Sequence, residues 1–289
     1  MASLISLKRR IHSVKNTKQI TKAMELVAAS KMRRAQEQAL ASRAYRVVAH
    51  DILHRLGGVT DVAVNPLFNA RPVKNHLMLV VTSDRGLAGA YNGNVLKKLV
   101  SLIKDDQKDK VHSKVVTIGR VGSQFVARLN GVELVSAYDM FANQPHGSDI
   151  RPIVKSILDL YTDQKVDKVT VVYTSFISNL NQEVAVTDIL PTKLSGDKEV
   201  SKLEVAIFEP SIDDIVESTV SRLIEVQMWQ AVLESLASEH SMRMMAMKNA
   251  TDNATDIIDD LTLEFNTARQ AAITQEISEI VGGAEAVNS

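Results

Sequence analysis

The segment whose residues could most readily bind a ligand is a glycine-rich stretch, 83–93. It reads Ser-Asp-Arg-Gly-Leu-Ala-Gly-Ala-Tyr-Asn-Gly. It follows an apolar run that predicts a buried strand and precedes a helical pattern. Nucleotide phosphates bind at such turns in many α/β folds. However, the glycines are spaced G-x-x-G-x-x-x-G, which matches neither the dinucleotide fingerprint nor the P-loop. The pattern favours a backbone turn with a contact surface, and nucleotide binding stays open as the alternative.

Two other segments contain residue types that could do chemistry. His50, Asp51 and His54 resemble the zinc-protease pattern H-E-x-x-H, but aspartate is shorter than the glutamate general base and no clear third ligand follows. These three residues are better explained as polar side chains on the exposed face of a helix. The methionine-rich run 242–247 surrounds Arg243 and suits either an adaptable contact surface or helix packing. No nucleophile, base and oxyanion donors assemble, so we expect no catalytic residue, no metal site and no cofactor.

The composition narrows the class of protein. The 289 residues include no cysteine, which excludes disulfides and thiolate sites and favours a reducing compartment. No apolar run approaches the roughly 18–20 residues that span a bilayer. The basic, amphipathic start could be mistaken for a targeting peptide. Because its helical pattern continues without a small-residue cleavage site, we expect mature protein from the first residue.

Glycine and proline, which interrupt helices, are absent from two long flanks, 1–56 and 211–281. Each flank therefore predicts one helix, about 84 Å and about 107 Å long at a rise of roughly 1.5 Å per residue. A small domain is only about 30 Å across. The expected arrangement is a head that carries a two-helix rod.

The charges of the flanks are opposite. Residues 1–56 carry 12 Lys and Arg against 3 Asp and Glu, a net of +9, whereas 211–289 carry 4 against 14, a net of −10. A basic helix alone would suggest nucleic acid or an anionic membrane, and a nucleic-acid-binding coiled coil is one alternative. An acidic helix in the same chain offers a simpler use, so we predict an antiparallel intramolecular pair and no nucleic-acid partner.

Apolar residues in both flanks recur at heptad spacing. The seam expected in the last flank is Ile258, Leu261, Phe265, Ala268 and Ala272. The seam expected in the first flank is Leu4, Leu7, Ile11 and Val14, then Ile20, Met24 and Val27, with Lys18 and Lys31 on or near it. The second helix should outrun the first over approximately Asn266 to Val281. Such a lone helix suits a sleeve supplied by another protein, and the alternative is a frayed, solvated tail.

Between the flanks, strand and helix patterns alternate. The expected strands are 76–82, 114–118, 168–173, 183–186 and 203–208, and the expected helices are 94–103, 123–129 and 150–161. Alternation of this kind predicts a three-layer, Rossmann-like α/β fold with a largely parallel sheet. We therefore predict an N-terminal coiled-coil helix over 1–57, an α/β foot domain over 58–210 and a C-terminal coiled-coil helix with a single-helix tip over 211–289.

Four segments carry a resemblance to a known family: 24–32, 83–87, 250–254 and 273–284, which read MELVAASKM, SDRGL, ATDNA and ITQEISEIVGGA. They are similar to segments of the ATP synthase gamma subunit, at the expected spacing along the whole chain. The resemblance implies the central rotor shaft of an F-type ATP synthase, itself non-catalytic. Its partners would be the alpha and beta subunits, which surround the shaft, and the epsilon and c subunits at its foot, with one copy per complex.

The resemblance also implies contact residues. Arg269, Gln270, Thr274 and Glu276 match the upper contact with the beta subunits. The residues expected to meet the alpha/beta sleeve lower down are Arg85, Arg243 and Met24. Phe208 and Glu209 match the turn near the c ring. The missing chloroplast-type cysteine insertion and the lack of a presequence favour a bacterial enzyme at the cytoplasmic face of the inner membrane, held there peripherally through the c ring. The runner-up is a head that binds or turns over a nucleotide itself.

Overall fold

The computed structural model describes residues 4–57, 66–141, 146–192 and 212–288, and within them the side chains outside 43–57, 212–217 and 284–288. The chain forms two compact units, one of 1–28 with 244–289 and one of 29–243. The elements are α1 (Leu4–Gly57), β1 (Asn75–Val81), α2 (Tyr91–Lys108), β2 (His112–Ile118), α3 (Arg120–Val126), β3 (Glu133–Tyr138), α4 (Arg151–Thr162), β4 (Lys168–Phe176), β5 (Gln182–Leu190) and α5 (Ile212–Asn288). The predicted strand 203–208 lies outside the described residues.

A five-stranded sheet forms the centre of the unit 29–243, in the order β3-β2-β1-β4-β5. β1 pairs in parallel with β2 and β4, β2 pairs in parallel with β3, and β5 pairs antiparallel with β4. The register aligns Leu79 with Val116 on one side and with Val171 on the other. Parallel neighbours need crossover connections, and the helices between the strands provide them. The predicted α/β fold with a largely parallel sheet is therefore confirmed.

Alternate residues of β1 point to opposite faces of the sheet, and helices cover both faces. Leu77, Leu79 and Val81 lie in one core together with residues of α4 and α5. Met78 and Val80 lie in a second, smaller core with residues of α2 and α3. Both faces being covered explains why β1 is a continuous apolar run instead of an alternating one. The three layers follow from this arrangement.

α5 is buried on every side over 230–239. Its serine hydroxyls form hydrogen bonds with the backbone of β4: Ser238 Oγ donates to the Thr174 carbonyl at 3.2 Å, and the Thr174 amide donates to Ser235 Oγ at 3.4 Å. Small hydroxyl side chains let the helix approach the strand closely and satisfy polar groups that water cannot reach. This stretch of α5 is therefore a core element of the α/β unit.

In the unit of 1–28 with 244–289, α1 and α5 pair along heptad seams. The seam positions in α1, all buried or half-buried, are Leu4, Leu7, Ile11, Val14, Lys18, Thr21, Glu25 and Ala28. Those in α5 are Met247, Thr251, Ala254, Ile258, Leu261, Phe265, Ala268 and Ala272. Thr251 Oγ1 lies 2.8 Å from Thr21 Oγ1, so the end of one seam meets the start of the other. The predicted antiparallel pair and the predicted α5 seam are confirmed.

The predicted α1 seam is only partly right after Val14, because Met24 is half-buried but Ile20 and Val27 are not. Ile20 and Val27 are 61% and 56% exposed, and the seam passes instead through Lys18, Thr21 and Glu25. The steps of 3 and 4 that begin at Leu4 fix the helix face, and a strict heptad keeps the same face even where the residues become polar. The apolar residues 20 and 27 therefore lie outside the seam, exposed to solvent.

Two other expectations differ from the structure. β3 is missing from the predicted strands, because it is an edge strand whose residues are mostly half-buried and so lacks the strong apolar signal of β1. The lone end of α5 begins later than expected, because Ala268 and Ala272 are still half-buried and full exposure starts at Ile273. From there to Gly283 every residue is exposed.

In the described part of the chain, no helix combines the length and the apolar character that crossing a membrane requires.

Candidate partner interface

The glycine-rich segment forms the turn between β1 and α2, at the carboxyl edge of the parallel strands. Thr82, directly after β1, donates from Oγ1 to the Ile118 carbonyl at 3.1 Å and accepts from the Gly122 amide at 2.9 Å. Gly119 has φ +99°, and a Cβ there would lie 2.1 Å from the Thr82 carbonyl oxygen. This close approach needs glycine. The ends of β1 and β2 are therefore locked together directly beneath the turn.

Side chains in and after the turn accept hydrogen bonds from nearby backbone amides. Asp84 Oδ1 accepts from the Arg120 amide at the start of α3 at 3.1 Å and from the Met140 amide at 3.0 Å. At the start of α2, Asn92 Oδ1 accepts from the Ser83 amide at 3.0 Å. A carboxylate at a helix N-terminus satisfies both the free amides and the helix dipole. Asp84 therefore occupies the start of α3, whereas the start of α2 has no side-chain cap.

The turn exposes an apolar side chain in an unusual backbone conformation. Leu87 has φ +63° and is 63% exposed, whereas Ala88 next to it is buried. A left-handed conformation is uncommon for a residue other than glycine and is strained for a bulky one. Arg85 in the same turn is also exposed. The turn therefore presents an apolar group and a cationic group to solvent.

Arg243 connects α5 to this turn. Its Nη1 donates to Glu239 Oε1 at 2.5 Å and lies 3.3 Å from His240 Nδ1. Its Nη2 donates to the backbone carbonyls of Arg85 at 3.3 Å and Gly86 at 3.4 Å. The Arg243 side chain is only 13% exposed. Two of the predicted site residues, Arg85 and Arg243, are thus brought together, although through the Arg85 backbone.

The groups around Arg243 have shifted proton affinities. Burial raises the pKa of the Glu239 carboxyl, and the Arg243 guanidinium opposes this shift. Burial lowers the pKa of His240 to about 4, and the charges of Arg243 and Lys31 lower it further. Burial and the Glu239 charge raise the pKa of Tyr91, whose hydroxyl lies 2.6 Å from Ser235 Oγ. His240 is therefore neutral at pH 7.

Four predicted contact residues lie near the exposed end of α5, in the unit of 1–28 with 244–289: Arg269, Gln270, Thr274 and Glu276. All are exposed. At about 100° per residue, Arg269 and Glu276 share one face of the helix and Gln270 and Thr274 share another. Thr274 Oγ1 donates to the Gln270 carbonyl at 2.9 Å, a bond within the helix. Their polar groups are thus presented in more than one direction.

The remaining predicted residues are not brought together with these. Met24 lies in α1 and is half-buried beside the seam. Phe208 and Glu209 lie outside the described residues. The His50 and His54 pair lies in α1, where the side chains are not described. Nothing in the structure tests whether any of these residues contacts a partner, so their roles stay predictions.

One cluster with a catalytic appearance was not predicted. His76 Nδ1 lies 2.9 Å from Asp106 Oδ1 and its Nε2 lies 2.8 Å from Thr170 Oγ1, an order similar to a hydrolase triad. Thr170 is only 1% exposed and also donates to Asp188 Oδ1 at 3.0 Å. A substrate cannot reach a nucleophile that is buried in the sheet and already donates its proton. The cluster is a buried polar network that ties α2, β1 and β4 together.

The sequence reasoning also missed Glu239 and His240. The spacing of Glu239 and Arg243, four residues apart on a helix with the glutamate first, is the signal that could have found them. Their burial could not be read from the sequence, because it depends on the sheet and α1 packing around α5.

A comparison with protein-family models matches residues 3–287 to the family described as ATP synthase. The match extends over nearly the whole chain and includes both long helices and the α/β unit.

Solved structures show a similar fold. A chain of the Euglena gracilis mitochondrial ATP synthase OSCP/F1/c-ring structure, in rotational state 3, has a TM-score of 0.67 at 17% identity, covering 98% of this chain and 94% of that one. A chain of the Euglena rotor structure has a TM-score of 0.63 at 16% identity, covering 93% and 98%. A chain of the Tetrahymena thermophila mitochondrial central stalk/c-ring structure has a TM-score of 0.62 at 23% identity, covering 80% and 99%.

Proposed function

Because this chain belongs to the ATP synthase gamma-subunit family and is a central-stalk rotor subunit of an F-type ATP synthase, we propose that it carries no catalytic site and acts entirely through its contacts. The observation that carries this proposal is the exposed end of α5, 273–283, which continues past the paired seam. A helix with exposed isoleucines on its surface is poorly stable in water unless a partner surrounds it. A sleeve of partner subunits meets that need.

The geometry of the glycine-rich turn supports the non-catalytic role. Asp84 occupies the N-terminus of α3 and the triad-like cluster around His76 is buried. Among the described residues, no group of three or more His, Asp or Glu side chains is arranged to hold a metal ion. The chemistry of ATP synthesis and hydrolysis therefore belongs to other subunits in this proposal.

The proposed partners are the alpha, beta, epsilon and c subunits, with one copy of this chain in each complex. Arg269, Gln270, Thr274 and Glu276 would contact the beta subunits at the upper end of the sleeve. Arg85, Arg243 and Met24 would serve the lower contacts, and Phe208 with Glu209 would face the c ring. The exposure of the first four and of Arg85 supports this assignment.

The coupling would be mechanical. A partner shifts a conformational equilibrium only by contacting one state more favourably than the other. An asymmetric shaft that turns inside a ring of catalytic subunits contacts each of them differently at each angle. Ion-driven rotation of the c ring would thereby change which catalytic site is open.

We also propose a peripheral location at the cytoplasmic face of a bacterial inner membrane, through the c ring. The absence of cysteine is consistent with a reducing compartment. Membrane fractionation tests this location: the chain should sediment with inverted membrane vesicles and be released together with the alpha and beta subunits by a wash at low ionic strength. Recovery in the soluble fraction before any wash would contradict it.

The assembly itself can be tested by gentle purification of the tagged full chain from its native source. Mass analysis should identify alpha, beta and epsilon subunits, with c subunits present when a mild detergent is used. Equilibrium dialysis of the purified chain with labelled ATP should show no saturable binding at micromolar concentration. One-to-one binding without the other subunits would favour a nucleotide-binding head instead.

The upper contact can be tested with Arg269→Ala/Gln270→Ala in the assembled enzyme. Charged hydrogen bonds to a partner are worth roughly 1.5–3 kcal/mol each, so ATP turnover and ion pumping should fall at least tenfold. Lys248→Ala/Asn249→Ala is the matched control, because it removes one cation and one amide from exposed positions of the same helix. If both double variants had equal effects, or if Arg269→Ala/Gln270→Ala kept wild-type rates, Arg269 and Gln270 would not belong to the interface.

A further inference from the structure

Arg243 and Glu239 of α5, together with the turn 84–89, form a contact that the sequence did not predict. The Arg243 guanidinium contacts both a carboxylate of its own helix and the backbone of the turn. Its Nη1 is held by the Glu239 carboxylate, and its Nη2 donates to two backbone carbonyls of the turn, those of Arg85 and Gly86. A planar guanidinium holds its donors on separate nitrogens at fixed angles, whereas lysine donates from a single nitrogen with rotatable donors.

The Arg243–Glu239 pair is nearly closed to water, whereas the bonds from Arg243 to the turn are exposed. The side chains of Arg243 and Glu239 are 13% and 7% exposed. Glu239 Oε2 is buried and finds no hydrogen-bond donor among the described residues. Removing one member of a buried charge pair leaves the other uncompensated, which is strongly unfavourable. The two charged groups therefore stabilise each other, and both Nη atoms of Arg243 donate within the chain.

The turn is also held at other points, because the Arg85 carbonyl accepts from Ser83 Oγ at 2.7 Å. Its ends are fixed by Asp84, which bonds the start of α3, and by Asn92, which bonds the Ser83 amide. Between these ends lies Leu87, exposed and in a strained left-handed conformation. Strained residues persist where the surrounding structure over-determines them. The bonds from Arg243 reach the two residues directly before Leu87.

We propose that Glu239 and Arg243 form a latch that positions the turn 84–89, so that Arg243 contributes to the lower partner contact by holding the turn that makes it. Glu239 orients the guanidinium, the guanidinium holds the turn, and the turn presents Leu87 and Arg85. Both latch residues are positioning residues. The inference rests on the proposed function in one respect only, that the turn faces partner subunits.

A thiol reporter tests the latch in the full chain. The protein has no cysteine, so Ala88→Cys places a single thiol at a buried position of the turn. A maleimide should label this reporter thiol slowly. Adding Arg243→Lys, which keeps the charge but replaces the two Nη donors with a single nitrogen, should accelerate labelling at least tenfold. Adding Glu239→Gln, which keeps the shape but removes the charge, should accelerate it at least threefold.

Two controls separate the latch from general loosening. Arg85→Ala removes an exposed side chain but keeps the carbonyl that the latch uses, so labelling of the reporter thiol should stay within twofold. Ser113→Cys gives a buried thiol at the amino-terminal end of β2, and its labelling should not respond to the latch variants. If Ala88→Cys disturbs folding, amide exchange of Ser83 and Tyr91, both hydrogen-bonded at the ends of the turn, is the second measurement.

The outcomes are distinct. Labelling of the reporter thiol that changes less than twofold in Arg243→Lys and in Glu239→Gln would overturn the latch. In the assembled enzyme, Arg243→Lys should lower ATP turnover at least threefold. Faster labelling with wild-type turnover would overturn the positioning role. Failure of the wild-type chain to assemble with alpha and beta subunits would instead contradict the proposed function and leave the labelling result standing.

Discussion

At the scale of single residues, His240 links stability to pH. Its pKa in the folded chain is about 4, against an ordinary value of 6.5, because it is buried and faces Arg243 on α5 and Lys31 on α1. Above pH 6.5 it is neutral whether the chain is folded or not. As pH falls from 6.5 to 4, the unfolded chain takes up a proton that the folded chain does not, so stability falls by up to roughly 3 kcal/mol.

His240→Gln should remove this part of the pH dependence. The raised pKa of Glu239 acts in the opposite sense in an overlapping window, because a raised carboxyl pKa favours folding at low pH. The useful quantity is therefore the difference between wild type and variant at each pH. Urea midpoints at pH 4.5, 5.5, 6.5 and 7.5 should diverge toward acid. A constant difference would show that His240 takes up protons equally in both states.

Gly119 gives a second residue-scale prediction. Gly119→Ala combines a positive φ with a Cβ 2.1 Å from the Thr82 carbonyl oxygen, so it should destabilise the fold by about 2 kcal/mol or more. Gly86→Ala is the matched control, since a Cβ there meets nothing within 4 Å. Thermal unfolding of both variants measures the effect. Similar melting temperatures would show that the ends of β1 and β2 separate easily.

At this scale the sequence predicted the identity of chemically interesting residues better than their surroundings. The glycine-rich turn was found from its glycines, and the sequence also showed that the turn lacks a phosphate-binding motif. The sequence could not show that Asp84 bonds the start of α3, because that contact depends on β2 and β3 lying beside β1. The burial of Glu239 and His240 was equally hidden, since helical spacing alone does not say what packs around a helix.

At the scale of elements, the pairing of α1 with α5 can be captured covalently. Thr21 Oγ1 and Thr251 Oγ1 are 2.8 Å apart, close enough for a disulfide of about 2.05 Å to form after small adjustments. In this cysteine-free chain, Thr21→Cys/Thr251→Cys should crosslink rapidly within one molecule on mild oxidation. Non-reducing gels and peptide mass analysis give the result.

Ile20→Cys/Thr251→Cys is the matched control, because Ile20 is exposed outside the seam. It should crosslink slowly or only between molecules. Intramolecular crosslinking of the control at the rate of the first pair would show that the helices change register freely. Crosslinks only between molecules for the first pair would contradict the intrachain pairing.

Elements with a strong periodic signal were predictable and those with a weak signal were not. β1 and β4 were found because both sheet faces are covered and their central residues are mostly apolar or β-branched. β3 was missed because an edge strand is half-buried. In α1, the apolar residues Ile20 and Val27 were a misleading signal, because the heptad phase set by Leu4 to Val14 continues through polar positions. Apolar character alone did not identify the face.

At the scale of the whole molecule, assembly should change the dynamics of the α5 end. Residues 273–283 are exposed on every side, so their amides should exchange rapidly in the isolated chain and at least a hundredfold more slowly within the enzyme. The paired stretch 251–261 is the internal control, since its seam is already covered and its exchange should change far less. Unchanged exchange over 273–283 after assembly would remove the support for a surrounding sleeve.

The polar stretch of the α1 seam has a mechanical consequence. At Lys18, Thr21 and Glu25 the helices bury little apolar area, and hydrogen bonds such as that between the Thr21 and Thr251 hydroxyls form over a narrow range of angles. Sliding or twisting one helix against the other therefore meets less resistance there than around Leu7 or Leu261. Under an applied torque the pair should yield first over this stretch, which makes it the most elastic section of the paired helices.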